Sequence, residues 1–225
     1  DGSPELESDM TDVAVNAREA LHRLREGNER FANNVRSLDS LLSHTQRAAL
    51  TAGQNPFAII LGCSDSRVPA EVVFDQGLGA LFVIRVAGNV VAPSQIGSIE
   101  FAATQYGTRL VIVMGHTQCG AVNATLTDLR NKEQNPSSHQ RYIVERIAPA
   151  VATLMETNLK DDPEALIRHA VRANIRMATS HVRHGSEILE KLIAHDGLMV
   201  VGAEYSLETG KVDFFDVPNE PFTSI

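Results

Sequence analysis

The chain has 225 residues, 43% of them hydrophobic and 21% charged, a balance that supports one well-buried core or at most two small ones. Its formal net charge of -8 argues against nucleic acid, whose phosphates call for a basic face, and against an anionic membrane surface. No apolar run approaches the roughly 18 residues needed to span a bilayer, and no charged-then-apolar leader opens the chain, so a cytoplasmic protein is expected.

Residues 1–9 are small and polar and read as lying outside the folded domain, with Met10 as the natural start. From about Thr11 to Asn34 apolar residues recur at three- and four-residue steps (Val13, Ala17, Ala20, Leu21, Leu24, Phe31) with charges between them, the pattern of an amphipathic helix. Asn28 interrupts the stripe, and Thr11 or Asp12 is the expected N-cap. A helix with nothing earlier to pack on must lie on the later core or on another subunit. A short helix is expected near Thr45 to Ala52, closed by Gly53. Three continuous apolar runs follow, Pro56 to Gly62, Ala80 to Val86 and Leu110 to Gly115. Unbroken apolarity suggests strands covered on both faces, as in a parallel sheet.

Between the last two runs, Ser94 to Tyr106 reads as a helix entered after Pro93. Beyond Cys119 helices are expected at Gly120 to Arg130, at His139 to Glu156, from Asp162-Pro163-Glu164 to about Val182, and, after a break at Gly185, in a further helix reaching His195. Asp162 supplies the cap and Pro163 fits the first turn. The end is β: Leu198 to Ser206, a Glu-Thr-Gly turn and Lys211 to Asp216. The expected fold is therefore α/β. A mostly parallel sheet is flanked by helices, with a long N-terminal helix and a C-terminal antiparallel edge strand, all in one domain spanning 1–225.

The chemistry concentrates in Cys63-Ser64-Asp65-Ser66-Arg67 and His116-Thr117-Gln118-Cys119-Gly120, which hold the only two cysteines. Each segment begins just past the end of an expected strand, where open parallel sheets gather their ligands. A secreted disulfide scaffold would carry more cysteines than two. Two thiolates and an imidazole make three good zinc ligands and leave a fourth position open for chemistry. Cys119 also opens a helix, whose positive end favours its thiolate. Asp65 and Arg67, two residues apart in a tight loop, can form a charge-assisted pair that keeps Asp65 ionised. Such an Asp can accept a hydrogen bond from a nucleophile beside the metal, or swing in as a fourth ligand and close the site.

Cys63-Ser64-Asp65-Ser66-Arg67-Val68-Pro69 together with His116-Thr117-Gln118-Cys119-Gly120 resembles the signature of the β-class carbonic anhydrases. The likeness continues through Gly27-Asn28-Glu29-Arg30-Phe31, Phe74-Asp75-Gln76-Gly77, Phe82-Val83-Ile84-Arg85, Ala87-Gly88-Asn89 and Gly97-Ser98-Ile99-Glu100-Phe101. The resemblance implies Zn2+ held by Cys63, His116 and Cys119, and catalysis with an Asp65–Arg67 dyad. The reaction it implies is reversible hydration of CO2 to bicarbonate and a proton by attack of zinc-bound hydroxide. It implies substrate contacts from Gln54, Phe82 and Gly120, and a pocket completed across a homodimer interface, with a tetramer as the larger assembly. Phe101 stands where plant-like members carry a pocket tyrosine. Some members have a regulatory bicarbonate site built from a Trp, an Arg and a Tyr. Arg85 and Tyr205 match two of its positions, whereas Ile60 replaces the tryptophan and puts that switch in doubt. The other readings are a carbonyl sulfide or carbon disulfide hydrolase on the same site, and a non-catalytic zinc or bicarbonate binder.

Two smaller motifs remain. His181-x-x-His184 sits near a helix end, a common surface pattern. Gly77-x-Gly79 lacks the third glycine of a dinucleotide loop.

Overall fold

The computed structural model describes residues 15–37, 44–131 and 137–218. Helix α1 is Ala17–Ala32, and Asn16 caps it by accepting from the Glu19 N–H at 2.9 Å. The caps expected at Thr11 or Asp12, and Val13, lie outside the described residues. Helix α2 (His44–Ala49) runs into a 3-10 turn over Leu50–Ala52, closed by Gly53. Strand β1 is Ala58–Gly62, and a short helix, α3 (Ala70–Val73), fills the connection to β2 (Leu81–Arg85). Helix α4 (Pro93–Gln105) leads to β3 (Leu110–His116). The helices α5 (Gly120–Arg130), α6 (Ser138–Val151), α7 (Pro163–His184) and α8 (Glu187–His195) follow. The final hairpin is β4 (Met199–Tyr205) and β5 (Val212–Phe215).

The sheet order is β2-β1-β3-β4-β5, parallel throughout except for β4 against β5. Every residue of β1 and β3 is buried, which is what continuous apolar runs produce when helices cover both faces. The chain goes from β1 outward to β2, then returns to the other side of β1 for β3. The carboxyl ends of β1 and β3 therefore flank the point where strand order reverses, the place where such sheets open a ligand crevice. β2 is the edge strand beyond β1.

Helix α1 packs on its own core. Asn28, which breaks the apolar stripe, is buried and serves as a bolt. Its Nδ2 donates to Val73 O at 3.1 Å and to Gly210 O at 2.9 Å, and its Oδ1 accepts from the Val212 N–H at 2.8 Å. One side chain so ties α1 to α3 and to the β4–β5 hairpin. Gly27 lets the backbones close: a Cβ there would lie 1.9 Å from Phe74 O. Arg30 completes the joint by donating to the buried Asp75 carboxylate at 2.6 Å. Asp162 and Ser137 cap α7 and α6, the latter through a capping box with Gln140. α6 ends at Val151, because a 3-10 turn takes over across Ala152–Glu156 soon after the internal Pro149. Among the described residues no helix is long and apolar enough to cross a membrane.

Candidate metal centre and active site

Cys63 follows β1 directly. His116 is the last residue of β3 rather than the first one after it, and Cys119 is the N-cap of α5. The register pairs Gly62 with Met114, so Cys63 and His116 leave neighbouring strands within about two residues of the same level. All three side chains are buried, and their ligand atoms lie within 4.8 Å of one another. Both cysteines are free thiols.

The local chemistry favours a soft divalent cation. His116 Nδ1 lies 2.9 Å from Thr117 O, which fixes the proton on Nδ1 and directs the Nε2 lone pair away from the backbone. Nε2 itself is buried and has no hydrogen-bond partner among the described residues. An orphaned acceptor in a dry site is costly unless something binds it. The two sulfurs lie close enough that a thiolate is favoured on one and disfavoured on the other. The Cys63 thiol is lowered to about 4 by the hydrogen bond from Cys119, against burial, with help from His116 and from the amides of the loop. Cys119 is pushed up by Cys63 and by burial, and the backbone amides of Val122 and Ala121 offset this only in part. Burial works against a charge on His116, but the nearby Cys63 sulfur more than compensates and raises it. Two buried thiols, one of them readily ionised, beside an imidazole with an unpartnered Nε2 fit Zn2+, which would take the place of the thiol protons.

The sulfur cradle draws on distant residues. The Gly88 N–H donates to Cys63 Sγ at 3.4 Å, and Asn174 on α7 holds Gly88 by donating to its carbonyl at 2.8 Å. Gly88 has φ of 66°, and a Cβ there would stand 2.7 Å from Ile147 Cδ1, so only glycine fits. The turn between His116 and Cys119 puts Gln118 at φ of 56°. Glu208, from the β4–β5 hairpin, pins that turn by accepting from Thr117 Oγ1 at 2.9 Å and from Gln118 Nε2 at 2.7 Å. Asn174 and Glu208 could not be read from the sequence, because each of their contacts joins residues about 90 positions apart.

Asp65 and Arg67 form the expected pair. Arg67 donates from Nε and from its backbone N–H to Oδ1, both at 2.9 Å, and from Nη2 to Oδ2 at 2.8 Å. These bonds hold the Asp65 carboxyl well below the usual carboxylate range against a smaller opposing effect of burial. Asp65 Oδ2 stands 3.8 Å from His116 Nε2, at the mouth of the ligand group and outside the cluster of three.

A carbonic anhydrase family model matches residues 58–212. Carbonic anhydrase 2 of Mycobacterium tuberculosis is 40% identical over 193 residues, which cover 85% of this chain and 89% of that protein. This chain belongs to the β-carbonic anhydrase family. The carbonic anhydrase of Mycolicibacterium smegmatis is 38% identical over 196 residues, 86% of this chain and 91% of that one. Among solved structures the β-carbonic anhydrase CcaA superposes with a TM-score of 0.68 at 26% identity, covering 87% of this chain and 95% of that chain. A tetrameric β-carbonic anhydrase of Sordaria macrospora gives the same TM-score at 22% identity, over 76% and 85% of the two chains, a likeness of fold. The family's cofactor is zinc, and Cys63, His116 and Cys119 are the residues that fit it here.

The remaining expected site residues fall in three places. Gly120 opens α5 beside the ligands, with no atom within 4 Å of a Cβ built on it. Gln54 precedes β1 and Phe82 is the second residue of β2, so both lie at the amino end of the sheet, away from the zinc ligands of their own chain. Phe82 pairs with Ile59, four residues before Cys63, a gap of about 13 Å at strand rise. There Phe82 stacks with Phe101 and Tyr106, with centroids 6.4 and 6.2 Å away, and Gln54 Nε2 donates to the Tyr106 hydroxyl at 3.0 Å. Tyr106, missed in the sequence, thus brings a hydroxyl to the patch where Phe101 carries none. Arg85 donates from Nε to Cys63 O at 2.9 Å and from Nη2 to Asp65 O at 2.5 Å, so it clamps the metal-loop backbone. Tyr205 is buried on β4 next to Phe31, two strands removed from β2's neighbour β1. Among the described residues no contact joins Arg85 to Tyr205.

Proposed function

We propose that this chain catalyses the reversible hydration of CO2 to bicarbonate and a proton, at Zn2+ held by Cys63, His116 and Cys119. The observation that carries this reading is a buried, unpartnered His116 Nε2 within 4.8 Å of two buried thiols, with an arginine-locked carboxylate beside them. Bound zinc supplies a Lewis acid that brings the pKa of water at its open position toward neutrality. Asp65, kept ionised by Arg67, accepts the hydrogen of the oxygen nucleophile and so turns a lone pair toward the carbon of CO2. Because its carboxyl sits far below the usual range, Asp65 acts as an acceptor near neutral pH and cannot serve as the acid. Both of its oxygens are held by Arg67, which supports an open site rather than one with Asp65 as fourth ligand. Arg85 fixes the loop that carries Cys63 and Asp65.

Gln54 and Phe82 serve as substrate contacts for a partner subunit's zinc, since the sheet length keeps them from their own. The minimal active unit is then a homodimer, and assembly into a tetramer follows the family resemblance. The two thiols, free of disulfide, suit a reducing compartment, and we place the enzyme in the cytoplasm as a single domain. The experiment is zinc content with stopped-flow CO2 hydration of the wild type and Asp65→Asn. One zinc per chain with hydration that collapses in the variant is the expected result. Zinc with no hydration by the wild type would leave the carbonyl sulfide and non-catalytic readings, which nothing in the structure favours.

A further inference from the structure

Away from the zinc ligands, a cavity of about 560 Å³ opens between α4, α6 and α7, a size typical of small-molecule sites. We infer that it binds a small carboxylate with an apolar body. Arg146 on α6 is the central group. Its guanidinium lies over the Tyr142 ring at 4.4 Å and donates from Nη2 to the Tyr142 hydroxyl at 2.5 Å. Its Nε is buried and without a hydrogen-bond partner, and no carboxylate pairs with it among the described residues. A fixed guanidinium that lines a cavity and has no carboxylate partner is well suited to a planar carboxylate.

The other walls agree in kind. Ser180, His181 and His184 of α7 line the cavity, which gives the histidine pair of the sequence a place on a concave surface. The first turn of α4 forms the opposite wall. Ala92 caps that helix without any side-chain hydrogen bond, so its positive end adds to the same field. Val91 and Ile96 supply apolar surface. One carboxylate lines the space, Glu100, and it already accepts from Ser186 Oγ at 2.5 Å. Glu190 faces His184 from α8, with 3.7 Å between Oε1 and Nδ1. The ligand envisaged therefore places its carboxylate on Arg146 and its apolar body against Val91 and Ile96.

Benzoate is the probe, titrated calorimetrically into the zinc-loaded protein, with two variants. Arg146→Gln removes the anchoring charge. Gly97→Leu fills the cavity from α4, at a position where a Cβ meets nothing within 4 Å, and leaves every charge in place. Neither residue belongs to the zinc site, so CO2 hydration is expected to be unchanged in both. Benzoate affinity is expected to fall at least about tenfold in each variant, in Arg146→Gln from the lost charge-assisted contact and in Gly97→Leu from the lost space. Unchanged affinity in either folded variant, or a wild type that binds no benzoate or binds it only in competition with bicarbonate at zinc, would overturn the assignment.

Discussion

The position of Gln54 and Phe82 leads to a complementation test. Phe82 is level with Ile59 in the sheet, four residues or about 13 Å short of Cys63, and Gln54 lies further back still. If these residues serve the zinc of a second subunit, each active site has a metal side from one chain and a pocket side from the other. Asp65→Asn then disables the metal side and Gln54→Ala with Phe82→Ala disables the pocket side. Each homodimer carries two damaged sites. A mixed dimer contains one site with both halves intact and one with neither. Random reassortment of equal amounts makes about half of the dimers mixed, so about one quarter of wild-type sites should reappear. The assay is stopped-flow CO2 hydration after denaturing and refolding the two variants together, compared with the same variants refolded apart and then combined. Activity equal to the sum of the separate variants would refute the shared site and require Gln54 and Phe82 to act within their own chain.

Glu208→Ala releases Thr117 and Gln118 and should lower zinc affinity roughly tenfold, the modest end of the range for groups that support metal ligands. Chelator competition measures this, and Glu208→Gln should restore most of the loss because its amide oxygen can still accept one of the two bonds. Gly27→Ala sets two effects against each other. Alanine is the better helix former by about 1 kcal/mol, whereas a Cβ at 1.9 Å from Phe74 O forces a backbone shift of the kind that costs about 1–3 kcal/mol or more. Overpacking should win, and a urea unfolding midpoint at or above the wild-type value would contradict the close approach. Zinc binding should strengthen as pH rises, because the metal displaces the proton that Cys119, pushed up beside the Cys63 thiolate, otherwise keeps. Competition titrations at pH 6 and pH 8 check the sign, and a flat profile would mean that no proton leaves.

The sequence by itself determined the chemistry and the local elements. Continuous apolar runs announced β1 and β3 because strands covered on both faces have no polar side to show; the remaining run is also a strand, but β2 lies at the sheet edge and is only half-buried. Asp162-Pro163 announced α7 because a cap and a fixed φ act locally. The identities of Cys63, His116, Cys119, Asp65 and Arg67 likewise required no coordinates, since donor type and short spacing carry the meaning. Only the tertiary structure decided strand order, and with it that β1 and β3 lie side by side so that Cys63 and His116, with 52 residues between them, meet. Strand pairing across such distances leaves no local pattern. The same holds for Asn28, which read as a flaw in the α1 stripe and proved to be its anchor, for Arg85, whose guanidinium grips the metal loop, and for Glu208 and Asn174, whose polar side chains look like any others until the chain brings them to the turns they hold. Gln54 and Phe82 go one step further: their place at the far end of the sheet follows from the fold of one chain, and the role proposed for them calls for a second.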